Sequence, residues 1–290
     1  SQLAGTDKPW GTFPSVSLGW RITEEPFMQR QQVFNDMKLR AGYGVTGSQP
    51  SQSFLGKSML GYGDYYLYNG KWIRAIQPTQ NANPNLKWEE KHEFDVGLDF
   101  SVLNYRINAS IDWYHRLIKG LLYDYSVPSP PNLYTRTRAN VGEMSNTGVE
   151  VMVNAIPVKT KDFEWSSTVT FSTNTNKLKS LSNDLYQAST DYFMTGWIQE
   201  PIKTESHIVR VGQSVGDIYG FKVVDVDNDG KWIYENRDGN LVGYDDFQHS
   251  FEDKKVIGNG LPSWYLGFNN QFKIKNWDLA VNMRGAFGFQ

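Results

Sequence analysis

Asp225-Val226-Asp227-Asn228-Asp229-Gly230 is the segment of this 290-residue chain whose residue types and spacing best suit a bound ion. Three carboxylates two residues apart can converge on a hard cation, and a glycine permits the sharp turn of a calcium loop. Lys231 stands where such a loop contributes a backbone carbonyl. Asn236, however, occupies the position of the bidentate glutamate, and Glu235 falls one residue short. The spacing argues against an EF-hand and leaves two readings. One is a looser calcium site built on Asp225, Asp227 and Asp229, with Asp238, Asp245 or Asp246 as extra ligands. The other is a solvated acidic turn.

A second cluster is aromatic: Tyr62, Tyr65, Tyr66, Tyr68 and Trp72 fall within one short segment. Sugars present apolar C–H faces that stack on rings, so these residues form a candidate substrate surface. Tyr and Trp are also enriched where proteins meet, so a partner surface explains them equally well. Tyr186, Tyr192, Phe193 and Trp197 invite the same two readings. The four histidines (His92, His115, His207, His249) are scattered without metal-ligand spacing. No G-x-S-x-G, phosphate loop or H-E-x-x-H occurs, and the Asp245-Asp246 pair has no other mark of a hydrolase dyad. The expectation is a protein that is not an enzyme.

Composition narrows the classes further. Lys plus Arg total 29 against 31 Asp plus Glu, without the basic excess of a nucleic-acid binder. The absence of cysteine excludes disulfides, thiol catalysis and Cys-ligated metals within this chain. Aromatic residues reach 14%, yet the mean hydropathy is -0.52. A chain both ring-rich and hydrophilic suits a sheet with one greasy face and one wet face. No stretch approaches the roughly 20 apolar residues of a spanning helix, but β-barrels cross membranes with weaker, alternating signals.

That alternation is the clearest signal in the chain. In 106–113, Ile107, Ala109, Ile111 and Trp113 face one way, and Arg106, Asn108, Ser110 and Asp112 the other. The same period recurs at 15–22, 38–45, 93–100, 149–155, 165–172, 264–272 and 277–284. Not one apolar-face position in these eight predicted strands is charged, although 21% of the chain is. The other face carries Arg40, Glu93, Asp95, Asp99, Asp112, Glu150 and Arg284, and is read as the wall of a wet lumen. Connections alternate in length. Those after the third, fifth and seventh strands are short, and the one at 23–37 holds a helical turn with Thr23 as N-cap. The others are long, at about 47–88, 118–147 and 175–262. Short turns at one end and long loops at the other is how outer-membrane barrels are built. Aromatic residues near strand ends (Trp88, Phe100, Trp113-Tyr114, Trp165, Trp264-Tyr265, Phe272, Trp277) read as interfacial girdles. His92 and His115 read as interfacial residues as well. The rival on pattern alone is a secreted, carbohydrate-binding β-sandwich with a calcium loop.

Several segments resemble the barrel of SusC/RagA-type TonB-dependent outer-membrane transporters. They are Trp10-Gly11-Thr12-Phe13-Pro14-Ser15, Leu39-Arg40-Ala41-Gly42-Tyr43-Gly44, Asn83-Pro84-Asn85-Leu86-Lys87-Trp88, Ala139-Asn140-Val141-Gly142, Asn146-Thr147-Gly148-Val149-Glu150, Val256-Ile257-Gly258-Asn259-Gly260 and Met283-Arg284-Gly285-Ala286-Phe287-Gly288. The resemblance implies an antiparallel transmembrane β-barrel segment, about eight strands of a wall of roughly 22, with long extracellular loops. Residues 1–290 would then be part of one barrel domain, a fragment whose plug and TonB box are not in this chain. It further implies an importer of oligosaccharides or oligopeptides. A SusD-like surface lipoprotein, TonB and outer-membrane lipid would be its partners, in the outer membrane of a Gram-negative, Bacteroidota-like bacterium.

Overall fold

A computed structural model describes residue 3 and residues 6–48, 50, 52–183 and 187–289. Among the described residues there are seventeen strands, two short 3-10 turns and no α-helix. Eight strands form one continuous antiparallel layer: β1 (Ser15–Arg21), β2 (Phe34–Ser48), β5 (Glu89–Val102), β6 (Ile107–Ser126), β7 (Arg136–Lys159), β8 (Phe163–Ser180), β16 (Trp264–Ile274) and β17 (Trp277–Phe287). These are the eight strands expected from the alternation, paired in chain order.

The register puts every apolar alternate on one side. Trp20, Leu39, Leu98, Ile111, Val151, Phe171 and Leu266 are successive cross-strand partners. One residue further along each strand, the row reads Arg21, Lys38, Asp99, Ser110, Met152, Thr170, Gly267 and Arg284. Because side chains alternate across a strand, the two rows lie on opposite faces.

Among the described residues no second layer covers the apolar face. Leu18, Trp20, Ile111, Trp113, Leu279 and Met283 are exposed, and the buried clusters of the molecule contain none of the wall's apolar alternates. A sandwich would stack a second sheet there; among the described residues the wall is a single layer. Burial of that face is left to lipid. Rings mark its two edges. Trp165 stacks on Phe272 at 5.9 Å near the short turns, and Trp264 stacks on Phe287 at 4.1 Å toward the other end. Trp264 and Phe272 are eight residues apart on β16, about 27 Å of strand. At a tilt of about 40° that spans about 21 Å, close to the apolar band of an outer-membrane barrel.

Parity corrects two girdle assignments. Tyr114 and Tyr265 each follow a lipid-facing tryptophan directly, so their rings fall on the wet face. Tyr114 lies over Gly148, where a Cβ would come within 2.5 Å of its hydroxyl. The 23–37 connection also differs from expectation. Its turn spans Ile22–Glu24 with Arg21 at the cap, and Thr23 sits inside it. The Thr23 hydroxyl donates instead to Asp36 and accepts from the Met37 amide, tying the turn to β2.

The long connections are structured rather than open loops. The first carries a hairpin, β3 (Met59–Tyr68) and β4 (Lys71–Gln80). The second is mostly β6 and β7 running on past the apolar band. The third folds into two small sheets. One pairs β9 (Tyr192–Ile198), β10 (Thr204–Arg210), β11 (Asp217–Gly220) and β15 (Lys255–Asn259). The other pairs β12 (Lys222–Val226), β13 (Trp232–Glu235) and β14 (Leu241–Gly243).

Candidate functional site: the wet face and the long-connection end

On the wet face, charges are held by one another across strands. The Arg40 guanidinium on β2 donates to both Asp99 oxygens (2.7 and 2.9 Å) and to Asp112 Oδ1 (2.8 Å). Arg116 makes a two-point contact with Glu93 at 2.8 and 3.1 Å. Lys159 pairs with Glu164 at 2.9 Å near the short turns. Charge-assisted, bidentate bonds of this kind are strong and directional. On the lipid side an arginine near the midplane would cost about 2–4 kcal/mol, so the placement of these groups marks the face that meets water.

Above the apolar band, residues 81–88 form a strap across β7. The Asn81 amide donates to the Tyr134 and Arg136 carbonyls (2.6 and 2.9 Å) and to the Thr137 hydroxyl, and it accepts from the Tyr134 amide. Asn83 donates to the Arg138 carbonyl at 2.8 Å. From β7, Asn140 accepts from the Lys87 amide and donates to the carbonyls of Lys87 and Gly120. These side chains imitate a strand pairing where the two backbones do not pair. Beneath the strap Leu86 is fully buried with Leu3 and Leu55.

The strap anchors the β3–β4 hairpin. Gln80 at its base donates to the carbonyls of Phe54, Leu55 and Lys57. At its tip Asn69-Gly70 takes φ of 50° and 76°, both positive as a two-residue hairpin turn requires. The predicted aromatic residues all lie on this hairpin, on two faces. A bulge at Gly63-Asp64 leaves Tyr62, Tyr65 and Trp72 on one face with Arg74, whose guanidinium lies 4.8 Å over Tyr62 and 5.9 Å over Tyr65. Tyr66 and Tyr68 occupy the other face. Tyr62 and Trp72 are each 70% exposed. Of the second aromatic set, Phe193 packs at 5.4 Å on Tyr123, Tyr192 lies under Arg210, and Trp197 is exposed. Tyr186 lies outside the described residues.

In the acidic motif the carboxylates cap their own turn. Asp225 is the penultimate residue of β12, and its carboxylate accepts from the Val226 amide. Asp227 accepts from the amides of Asp229 and Lys231 (2.9 and 2.8 Å), capping its own turn, with Gly230 at φ 81°. The Lys231 ammonium pairs with Asp245 at 2.5 Å, placing a cation where a metal would need acids. Among the described residues no three acidic or histidine side chains gather as a metal cluster. Nine residues on, the same turn repeats: Asn236 accepts from Asp238 and Asn240, with Gly239 again at φ 81°. Aspartate and asparagine are selected here as turn caps. Nearby, Lys222 and Lys255 reach Glu235 at 2.6 and 2.8 Å and hold its carboxyl down at about 2.

His92 and His115 lie where the apolar face ends. His92 Nδ1 is 2.8 Å from the Tyr43 hydroxyl, and His115 Nδ1 is 2.7 Å from that of Thr147.

A one-layer wall, wet on one side and ringed with aromatics on the other, matches a family model described as TonB dependent receptor-like, beta-barrel, over residues 2–284. The chain belongs to this TonB-dependent receptor family. It is 32% identical to the TonB-dependent receptor SusC of Bacteroides thetaiotaomicron over 97% of its own length and 28% of that protein. It is 30% identical to TonB-dependent receptor P39 of Formosa agariphila, covering 30% of it. The chain thus spans under a third of the length of these TonB-dependent relatives. In fold it is similar to the RagAB peptide importer in its open-open state, with a TM-score of 0.82 and 21% identity over 99% of this chain and 30% of that one. A second RagAB structure, a peptide transporter, gives a TM-score of 0.76 at 22% identity. Two segments that carry the family resemblance, Asn83–Trp88 and Ala139–Gly142, are the two halves of the strap lock. Sequence reasoning left Asn81 and Asn140 without a role. Asparagine at alternate positions 81, 83 and 85 is a weak local mark of the first, and Asn140 has no such mark.

Proposed function

We propose that this chain is a wall segment of an energised outer-membrane importer. The observation that carries the reading is the pairing of an uncovered, uncharged face with a wet face whose carboxylates and guanidinium groups already bond to one another. Such a wall separates lipid from a water-lined path. On this reading the short turns face the periplasm and the strapped end faces the outside. The parent receptor, coupled to TonB, takes up oligosaccharides or oligopeptides together with a SusD-like lipoprotein. A peptide cargo is supported by the likeness to RagAB, and a glycan cargo by the exposed rings of the hairpin. The Tyr62–Tyr65–Trp72 face serves as the contact for that cargo or that lipoprotein, and the chain itself performs no covalent chemistry.

The test uses cells expressing the full-length receptor, given fluorescent maltooligosaccharides in one arm and fluorescent casein peptides in the other. Accumulation of one probe that stops when TonB is deleted is the expected result. If neither probe enters in a TonB-dependent manner while the receptor is folded in the outer membrane, the importer reading is refuted for both cargo classes.

A further inference from the structure

Arg40, Gly97 and Asp112 are successive partners across β2, β5 and β6. Side chains two strands apart start about 10 Å from each other, and the residue between them normally blocks contact. Here it has no side chain. A Cβ at Gly97 would sit 2.3 Å from Asp112 Oδ1 and 2.6 Å from Arg40 Nη2, inside both groups. Gly97 has no positive φ, so no backbone strain calls for glycine there. Its place is explained by the guanidinium passing over it. Ser110 closes the arrangement. Its hydroxyl donates to Asp112 Oδ2 at 2.7 Å and accepts from Arg40 at 3.3 Å.

The neighbours show what this bracket controls. Lys38 is the cross-strand partner of Asp99, so two cations face two carboxylates and the patch is neutral. Glu150 is the partner of Asp112 on the next strand and has no ion pair among the described residues. Without Arg40, Lys38 alone would face Asp99, Asp112 and Glu150, three carboxylates on three adjacent strands. A water-lined path with low-dielectric walls concentrates counter-ions against such a row.

We propose that Arg40, admitted by Gly97, sets the charge selectivity of the path along this wall by offsetting part of the negative charge of Asp99 and Asp112. The proposal rests on the polar face lining the lumen of an importer. Gly97 is a positioning residue in it: a side chain there separates Arg40 from Asp112 without altering any charge.

The full-length receptor in a planar bilayer, with urea holding its lumen-filling segment unfolded, gives the readout as a reversal potential under a KCl gradient. Heat-modifiable migration on gels checks that each variant's barrel is folded. Arg40→Gln is expected to shift the reversal potential toward that of K⁺. Gly97→Val is expected to shift it the same way, with Gly97→Ala as the milder version. The double change Arg40→Gln/Asp112→Asn, which removes one positive and one negative charge, is expected to return it to the wild-type value. An unchanged potential in folded Arg40→Gln overturns the proposal, and an Arg40→Gln shift that both Gly97 variants lack removes Gly97 from it. A folded wild type that passes no current overturns the lumen reading beneath it.

Discussion

A single residue step along β7 separates the two solvents this wall meets, and arginine placed on either side of that step measures them. Val153 lies on the apolar face, four residues from Val149 at one aromatic edge and five from Val158, the partner of Trp165 at the other. That is about 15 Å of strand either way, close to the middle of the band. Met152 is its neighbour on the wet face, between Ser110 and Thr170. An arginine facing lipid at the midplane of a barrel costs about 2–4 kcal/mol, and near the interfaces only about 0–1. Val153→Arg should therefore lower the folding equilibrium by about 30- to 700-fold. Met152→Arg should change it by no more than about 0.5 kcal/mol, as an exposed substitution does. The assay is guanidinium unfolding of the full-length receptor in lipid vesicles. Cysteine placed at each position and labelled with a polarity-sensitive dye reads the environment directly. Equal midpoints for the two arginine variants, or a dye at 153 that reports water, would refute the assignment of lipid to the uncharged face.

Three other outcomes follow from particular contacts. Asn81→Ala removes a buried amide whose two N–H hydrogens are shared among three acceptors and whose oxygen accepts one bond, about three hydrogen bonds at about 0.5–1.5 kcal/mol each. A local loss of about 2–5 kcal/mol is expected, seen as faster hydrogen exchange in residues 59–88 with the wall strands unchanged. Glu235 is depressed from 4.5 to about 2 by Lys222 and Lys255, so its contribution is fully present above about pH 4.5 and is lost as pH falls toward 2. Trp232 fluorescence of the β12–β14 sheet should show that acid-side transition, and Glu235→Gln should abolish it. Trp72→Ala should leave folding intact, since the ring is exposed, while weakening capture of cargo or lipoprotein in a pull-down from outer-membrane extract.

The wall was legible in the sequence because two solvents press on it at once. Val149, Val151 and Val153 alternate with Gly148, Glu150 and Met152 because each outward position meets lipid and each inward one meets water, which keeps charges off one parity over eight strands. Where that pressure ends, so does the signal. β7 was expected over 149–155 but runs from Arg136 to Lys159, since above the band both of its faces touch protein or water and the period disappears. Tyr114 and Tyr265 were misplaced because aromatic content was counted without parity. The Asp225–Gly230 run was ambiguous for a different reason: carboxylates that cap a tight turn and carboxylates that hold calcium share the same spacing. The turn repeats at Asn236–Asn240 with an amide in place of the first carboxylate, so this cap needs no charge. Asn81 and Asn140 were silent because their partners lie 53 residues away or more along most of the contacts, where no local pattern reaches.

The strap follows from how far the strands overrun the membrane. β6 and β7 hold 20 and 24 residues, about 70 and 80 Å of strand, when the band needs about 27. The excess cannot be stabilised by lipid, and a bare two-stranded ribbon is marginal in water. The register shift at Lys119–Leu122, with Gly120 at φ 68°, breaks the pattern that serves the bilayer. Beyond it the inward side chains have protein to pack on: Tyr125 with Ala139 and Val141, and Leu178 with Leu181 and Val209. Asn140 bonds the Gly120 carbonyl at this same shift and the Lys87 backbone on the strap, so the bulge, the strap and the hairpin base are one hydrogen-bonded unit. A hairpin held this way loses little further freedom when it binds. The ordering cost that weakens contact by a mobile loop has been met in folding, so on the proposed reading Tyr62, Tyr65 and Trp72, uncovered at the rim, would serve as fixed anchors.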